Sequence, residues 1–277
     1  MTEVTDAGTR RPRPPAGLSA PRASAALMVA VCGLLFPAAC AVGGEGIGAG
    51  SSATGMSSAI PRSSVTARSS RGAAAEPEAV NTILTATVAG VDVYPTPMST
   101  WPASRLSNPN EAGAPRVFLV TARLPGWWQV LLPIWPNGSR GWIRDDQVRA
   151  STTAYHLQVV RGAHQLRLYR GNTLISLFVV AVGTTDTPTP GGRYYLTELL
   201  RPRNPTGPYG PFAFGLSGFS TSLASFEGHA PIIGLHGTDQ PHTLGRDVSH
   251  GCIRLSNSDI TWLAGMLPLG TPVDIVA

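Results

Sequence analysis

GRDVSHGCIRLSN, residues 245–257, places a cysteine directly after a His-Gly pair near the C-terminus. Cys252 is one of three cysteines in the 277-residue chain, and the other two, Cys32 and Cys40, lie near the N-terminus. The C-terminal part of the chain therefore holds a single cysteine, which has no partner there for a disulfide. Such a cysteine is either a small buried apolar residue or a reactive thiol.

Two histidines and a glycine favour the reactive thiol. His250 precedes the cysteine by two positions, and His236 stands upstream in the segment IIGLHGT. A histidine in contact with a thiol can take its proton and return that proton to a leaving group. Gly251 permits a tight turn that points peptide N–H groups at a developing oxyanion. These residues predict a cysteine–histidine acyl-transfer site in which either histidine could be the base.

A histidine neighbour also predicts an activated thiol. An unperturbed thiol has a pKa of about 8.5 and is mostly protonated at neutral pH. If a histidine holds Cys252 partly as a thiolate, iodoacetamide should label it faster at pH 7 than it labels a free thiol.

A metal site is the rival interpretation of the same region, because zinc binds histidine and cysteine side chains. The spacings contain no paired C-x-x-C or H-x-x-x-H element, so we predict no metal, and acyl transfer by a cysteine and a histidine needs no cofactor. The residues that the rival site would use are His229, His236, His242, His250 and Cys252.

Residues 1–42 have the pattern of an export signal or of a membrane or lipid anchor. Four arginines precede the run 25–42, which is about 18 apolar or small residues long. Cleavage near Ala41, lipidation at Cys40 and retention as an anchor are all open outcomes. We expect a protein exported to the cell envelope, either attached to the membrane or secreted to the cell wall. Residues 43–80, rich in Gly, Ser and Ala, are predicted to be a flexible linker.

The formal net charge of +5 lies mainly in these N-terminal segments. Residues 1–75 carry seven arginines against three acidic residues, whereas residues 76–277 carry fourteen against thirteen. The folded part is thus nearly neutral, which argues against a nucleic-acid partner.

Residues 81–149 contain short β-favouring runs separated by Pro and Gly turns, a pattern typical of a small β-barrel. The tryptophans of this region either form a ligand surface or belong to its core. These residues are Trp127, Trp128, Trp135 and Trp142.

Residues 154–277 are also strand-rich. QLRLYR and LISLFVVAV flank a Gly171-Asn172 turn and predict a hairpin. Ser256, with Asp259 three residues later, predicts the start of one helix, and TPVDIV predicts a final strand.

The pattern His236-Gly-Thr followed by Ser249-His-Gly-Cys-Ile-Arg-Leu255 resembles the catalytic domain of the L,D-transpeptidases (YkuD-like). The flanking segments VGTTDTPTPGG and LSNSDITWLAGMLPLGTPVDI are similar as well, so the likeness covers residues 154–277. In residues 81–149, GWWQVLLP and NGSRGWI resemble a bacterial SH3-like domain. The implied fold is mainly β: a small SH3-like β-barrel, then a β-sandwich-like catalytic domain with a short C-terminal helix.

The resemblance implies an enzyme that acts on peptidoglycan stem peptides in the cell wall. A cysteine attacks the bond before the terminal D-Ala of a tetrapeptide stem and releases D-Ala. The acyl group then passes to an amine of another stem and forms a 3→3 cross-link. Transfer to water would make the protein an L,D-carboxypeptidase, and a wall-binding protein without catalysis is a further alternative.

Carried onto this chain, the resemblance assigns Cys252 as nucleophile and His236 as general base. His250 would set the electrostatics, Ser249 would orient the site through a hydrogen bond, and the backbone at Gly251 would line the oxyanion hole. Substrate contacts are expected from Arg254, a guanidinium suited to a carboxylate, and from two aromatic residues, Tyr209 and Phe219, which could equally pack their own loop.

Overall fold

The computed structural model describes residues 80–277. The predicted leader 1–42 with Cys40 lies outside the described residues, as does the predicted linker except for its last residue. Within the described part, no helix combines the length and apolar character that crossing a membrane would require.

Seven short strands form the N-terminal β unit, residues 81–153. Five of them pair antiparallel in the order β6-β5-β4-β1-β7, and β2 and β3 form a separate two-stranded ribbon. Leu84, Phe118 and Ile143 fill the core because alternate side chains of a strand share one face. The strands are β1 (Asn81–Ala86), β2 (Gly90–Val93), β3 (Ser104–Ser107), β4 (Val117–Leu124), β5 (Trp127–Leu131), β6 (Arg140–Arg144) and β7 (Val148–Thr153).

The second sheet has eight strands in the order β10-β9-β8-β17-β12-β13-β14-β16. Its pairings are antiparallel except for β17 with β8 and β14 with β16, which are parallel. A short parallel pair, β11 with β15, lies beside it. The strands are β8 (Tyr155–Val160), β9 (Gln165–Arg170), β10 (Thr173–Val179), β11 (Val182–Gly183), β12 (Gly192–Leu200), β13 (Ala213–Phe219), β14 (Ile232–His236), β15 (Asp247–Ser249), β16 (Ile253–Arg254) and β17 (Pro272–Val276).

The only α-helix among residues 80–277 is α1 (Asn257–Met266). The Ser256 hydroxyl accepts a hydrogen bond from the Asp259 N–H at 3.1 Å and thereby caps the helix, as predicted. Ile260 and Leu263 face the core that this helix shares with the eight-stranded sheet. The predicted β9–β10 hairpin and the final strand β17 are also confirmed.

The N-terminal β unit and the larger sheet share a buried cluster. Tyr195 of β12 is fully buried against Ile83, Val117, Leu119 and Leu131. Its phenol donates a hydrogen bond to the Leu131 carbonyl at 3.4 Å. The cluster fixes one unit against the other, because apolar side chains from both are removed from water together.

Two polar contacts cross the same junction. The Asn110 side-chain amide donates to the Glu198 carboxylate at 2.7 Å, where both residues are buried. The Asn137 side chain both donates to the Phe219 carbonyl at 2.8 Å and accepts from the Phe219 N–H at 2.9 Å. Asn137 thereby ties a loop of the N-terminal unit to the end of β13.

The mainly β fold and the short C-terminal helix agree with the prediction. Residues 150–153, which lie between the two predicted domains, form the end of β7. The SH3-like assignment of residues 81–149 stays a prediction. Of the four tryptophans, Trp128 is a core residue, Trp127 and Trp142 are half-buried, and Trp135 is 60% exposed.

Candidate active site

Cys252 and His236 come together at one edge of the large sheet. The short strand β16, which begins directly after Cys252, pairs in parallel with the end of β14, where His236 lies. Between them stands Gly234. A Cβ on that glycine would be 3.4 Å from the His236 Cδ2 atom and 3.6 Å from the Cys252 sulfur. The imidazole and the thiol therefore border the same small space, which is open because residue 234 has no side chain.

His236 is held as a neutral imidazole. Its Nδ1 atom lies 2.6 Å from the Gly237 carbonyl, which can only accept, so Nδ1 carries the proton and Nε2 is left as a base. Burial lowers the pKa of His236 to about 4, and the positive charge of Arg254 also lowers it, whereas the bond to Gly237 acts in the opposite direction. At neutral pH His236 can accept a proton but does not already carry the second one.

The pKa of the Cys252 thiol is raised, whereas the sequence-based expectation was an activated thiol with a lowered pKa. Burial raises its pKa above the ordinary value, although the Gly234 N–H, which donates to the sulfur at 3.3 Å, and the charge of Arg254 both oppose that rise. The sequence indicated the histidine neighbour but not the burial, which disfavours the charged form of both groups. Burial therefore favours the protonated thiol beside a neutral imidazole.

The turn that carries the cysteine is held by its own hydrogen bonds. The Ser249 hydroxyl donates to the Cys252 carbonyl at 2.5 Å and accepts from the Gly251 N–H at 3.1 Å. Gly251 has φ of +115°, and a Cβ there would meet the Ile233 side chain at 3.0 Å. Only glycine fits this position without strain. The predicted orienting role of Ser249 agrees with this geometry.

The TPTP segment, residues 187–190, supports the same turn through threonine hydrogen bonds. Thr189, which is fully buried, accepts from the Gly183 N–H and donates to the Gly251 carbonyl, both at 2.8 Å. Thr187 donates to the Ser249 carbonyl at 3.1 Å. In the sequence, this segment stands out only through its resemblance to the family pattern. The two threonine contacts give it a physical role, because they fix the backbone on either side of His250.

A pocket opens above the thiol and is lined by Tyr209, His250, Arg254 and the loop 220–231. The Tyr209 ring lies 4.9 Å from the His236 ring, and the exposed His250 lies 6.0 Å from the Phe226 ring. Arg254 borders the pocket, and its Nε atom is buried without a hydrogen-bond partner among the described residues. The pocket thus combines a thiol, an imidazole, the guanidinium of Arg254 and the carboxylate of Glu227 on mainly apolar walls.

Phe219 does not line the pocket around Cys252. It lines a neighbouring cavity together with Trp135. No role was predicted for Gly234 or Thr189, because Gly234 reaches Cys252 only through the pairing of β14 with β16, and Thr189 bonds to a residue 62 positions away.

Three of the five side chains proposed for a metal site, those of His236, His250 and Cys252, line the same pocket, but they are not arranged to hold a metal ion. Among residues 80–277 no group of three or more His, Cys, Asp or Glu side chains is placed to hold a metal ion. His236 instead uses Nδ1 for the Gly237 carbonyl and turns its other side toward the thiol.

Comparison with known proteins agrees with this chemistry. The family model of the YkuD L,D-transpeptidase catalytic domain matches residues 154–275. The chain is 28% identical over 156 residues to the Bacillus subtilis (strain 168) protein YqjB, also named as an L,D-transpeptidase, with 53% of this chain and 80% of that protein covered. A solved L,D-transpeptidase from Mycobacterium smegmatis aligns at 15% identity over 58% of this chain and 90% of that one, with a TM-score of 0.38, too low to carry weight.

The alignment with YkuD of Bacillus subtilis (strain 168), named as an L,D-transpeptidase, has 39% identity over 124 residues and covers 45% of this chain. The resemblance noted for residues 154–277 is thereby confirmed in its catalytic part. Because this match extends over 67% of YkuD itself, the chain belongs to the YkuD family of L,D-transpeptidases.

Proposed function

We propose that the protein is a peptidoglycan L,D-transpeptidase in which Cys252 is the nucleophile and His236 is the general base. The observation that carries the assignment is the space at Gly234, which is bordered by the Cys252 sulfur and by the Cδ2 atom next to Nε2 of the imidazole. His250 is exposed at the pocket rim, which fits an electrostatic role better than that of the base.

The first half of the reaction forms a thioester. As the Cys252 sulfur attacks the carbonyl carbon of the third stem residue, its proton moves to Nε2 of His236. The tetrahedral intermediate collapses when the C–N bond to D-Ala breaks and the imidazolium gives its proton to the departing amine. D-Ala leaves, and the acyl group stays on the sulfur.

The second half reverses these proton movements. A neutral amine of another stem attacks the thioester, His236 takes a proton from that amine, and the C–S bond breaks. The thiolate then regains its proton from His236. An amine acceptor gives a 3→3 cross-link, whereas water would give a shortened stem and carboxypeptidase activity.

The oxyanion of each intermediate needs backbone donors. Gly251 N–H already donates to the Ser249 hydroxyl. No acceptor within residues 80–277 takes the N–H of His250 or of Cys252. We assign these two amides as the oxyanion donors, with the positive φ of Gly251 setting the turn between them.

Arg254 is assigned to a substrate carboxylate. It lines the pocket together with Cys252, and a guanidinium recognises a carboxylate through paired N–H donors. Tyr209, whose ring lies beside His236, would cover the reacting bond on the other side.

The N-terminal parts of the chain are assigned from their patterns. Five short antiparallel strands with a separate ribbon support an SH3-like unit over residues 81–149, followed by a catalytic domain over 154–277. An export signal or anchor in residues 1–42, with Cys40 as a lipidation candidate, and a linker over 43–80 would place the enzyme at the cell wall, attached to the membrane or secreted.

The test is mass spectrometry of a muropeptide with a tetrapeptide stem after incubation with the full-length protein. Loss of D-Ala together with a cross-linked dimer, both absent with Cys252→Ser, is the expected result. Loss of D-Ala alone identifies a carboxypeptidase. No product from a folded protein would favour a wall-binding role and overturn the proposal.

A further inference from the structure

The groove over Cys252 does not end at the catalytic pocket. Ser220, Leu223 and Pro231 line that pocket and also line a second cavity of about 520 Å³. This second cavity, which we call the groove extension, is bounded at its far side by Trp135 and Phe219. The N-terminal β unit therefore supplies one wall of a groove that leads to the nucleophile.

Trp135 is largely exposed to solvent. Its side chain is 60% exposed although it belongs to the largest apolar residue type. The loop that carries it is fixed, since Asn137 makes two hydrogen bonds to the backbone of Phe219. An exposed indole on an anchored loop is a flat surface that loses little freedom when a ligand stacks on it.

The lining of the groove extension has no charged side chain among the described residues. It consists of the two aromatic residues, small apolar residues and three hydroxyl side chains, Ser220, Thr221 and Ser222. A stem peptide carries carboxylate and ammonium groups, which would gain nothing from these walls. A neutral ligand with an apolar face and many hydroxyls fits them, and a sugar ring has that chemistry.

The distance from the catalytic pocket to the groove extension matches the distance from the third stem residue to the sugar of the same substrate. Ile232 lines the catalytic pocket, pairs with Phe219 and stands two residues from Gly234, which is about 7 Å along β14. The third stem residue is at Cys252 during acylation, and two extended residues ahead of it also span about 7 Å. The saccharide that bears the stem would then arrive at the groove extension.

We propose that the groove extension is a saccharide subsite, in which Trp135 stacks on a sugar ring of the donor muropeptide. This inference rests on the proposed function, because it takes the stem to be held at Cys252. It assigns the N-terminal β unit a direct share in substrate recognition, with selectivity for stems that are still attached to their sugar.

The experiment compares a disaccharide-tetrapeptide with the free tetrapeptide as donors, using full-length wild-type protein, Trp135→Ala and Trp135→Phe. The control is Trp101→Ala, a tryptophan of the same unit that is 79% exposed and does not line the groove extension. We expect Trp135→Ala to raise KM for the disaccharide-tetrapeptide roughly three- to tenfold with little change in kcat. With the free tetrapeptide as donor, KM should be the same for all variants. With the disaccharide-tetrapeptide, Trp135→Phe should have a KM close to that of the wild-type protein.

An equal loss with both donors would overturn the proposal, because Trp135 would then support the groove or contact the peptide. A KM for Trp135→Ala equal to that of Trp101→Ala would overturn it as well. Saturation-transfer NMR with the disaccharide alone, on Cys252→Ser, provides a readout independent of catalysis. Disaccharide binding that Trp135→Ala abolishes and Trp101→Ala retains would support the subsite. It would do so even if neither donor were processed, since failure of processing would refute only the transpeptidase proposal. If the disaccharide does not bind at all, the subsite is refuted.

Discussion

The His236 ring and the Cys252 sulfur border the same small space, at a position that has no side chain. The Cβ that Gly234 lacks would lie 3.4 Å from the His236 Cδ2 atom and 3.6 Å from the sulfur. The same glycine donates its N–H to that sulfur. Gly234 thus leaves room for the pair and orients the thiol, although it has no functional group of its own.

Gly234→Ala is expected to leave the fold intact and to slow acylation. The added methyl makes ordinary van der Waals contacts, so the protein should unfold at nearly the wild-type denaturant concentration. The methyl fills the space that the imidazole and the thiol border, so it would hinder their approach during proton transfer, and a misplacement of about 1 Å in such a site can cost about 100-fold in rate. We expect kcat/KM for D-Ala release to fall roughly 10- to 100-fold.

Gly265→Ala is the matched control for that variant. Gly265 lies in α1, and a Cβ there meets nothing within 4 Å. Alanine favours a helix over glycine by about 1 kcal/mol, so this variant should be slightly more stable and fully active. Equal activity of the two variants would show that the space at Gly234 is not needed for the reaction.

The pH dependence should reflect the buried imidazole. The working base is neutral His236, and burial lowers its pKa to about 4. As pH falls, activity should persist well below 6.5 and disappear only as His236 becomes protonated near pH 4. The measurement is the acid limb of kcat/KM, which reports the free enzyme. An acid limb at 6.5 or above, the range of an ordinary histidine, would contradict His236 as the base.

The thiol should react slowly with small electrophiles. Because burial raises the pKa of Cys252, little thiolate exists at pH 7. We expect iodoacetamide to alkylate Cys252 in the folded protein more slowly than in the same chain unfolded in guanidinium, as followed by peptide mass spectrometry. The rate should rise steeply with pH. Faster labelling of the folded protein at pH 7 would instead indicate a resting thiolate–imidazolium pair.

Local signals explain what the sequence alone could predict. The Ser256 cap, the Gly171-Asn172 turn and the run around Cys252 each lie within a few residues, and each is found in the structure. Cys252 and both histidines were proposed for the same reason, since residue type and short spacing indicate that chemistry, and the three residues line one pocket.

Long-range pairing explains the rest. Gly234 faces Cys252 only because β14 and β16 pair in parallel, and no spacing in the sequence states that register. Tyr195 is buried by residues about 64 to 112 positions away, which composition does not reveal. The direction of the thiol pKa depends on burial and was predicted wrongly for that reason.

Thr189 should matter for both stability and catalysis. Its buried hydroxyl joins the Gly183 N–H to the Gly251 carbonyl, at 2.8 Å each. Thr189→Val keeps the shape of the side chain but leaves these two backbone groups unpaired, which costs about 1–3 kcal/mol for each buried group. We expect the free energy of unfolding in guanidinium to fall by at least the lower of these values. D-Ala release should fall as well, because the turn that carries Cys252 loses its brace.

Thr189→Ser tests the role of the hydroxyl group separately from that of the methyl group. Serine retains both hydrogen bonds and loses only a methyl group, so activity should return nearly to wild type while stability drops by about 1 kcal/mol. If Thr189→Val retained full activity at a temperature where it is folded, the brace would serve stability alone. If the serine variant were as inactive as the valine variant, packing of the methyl group rather than the hydrogen bonds would position the nucleophile turn.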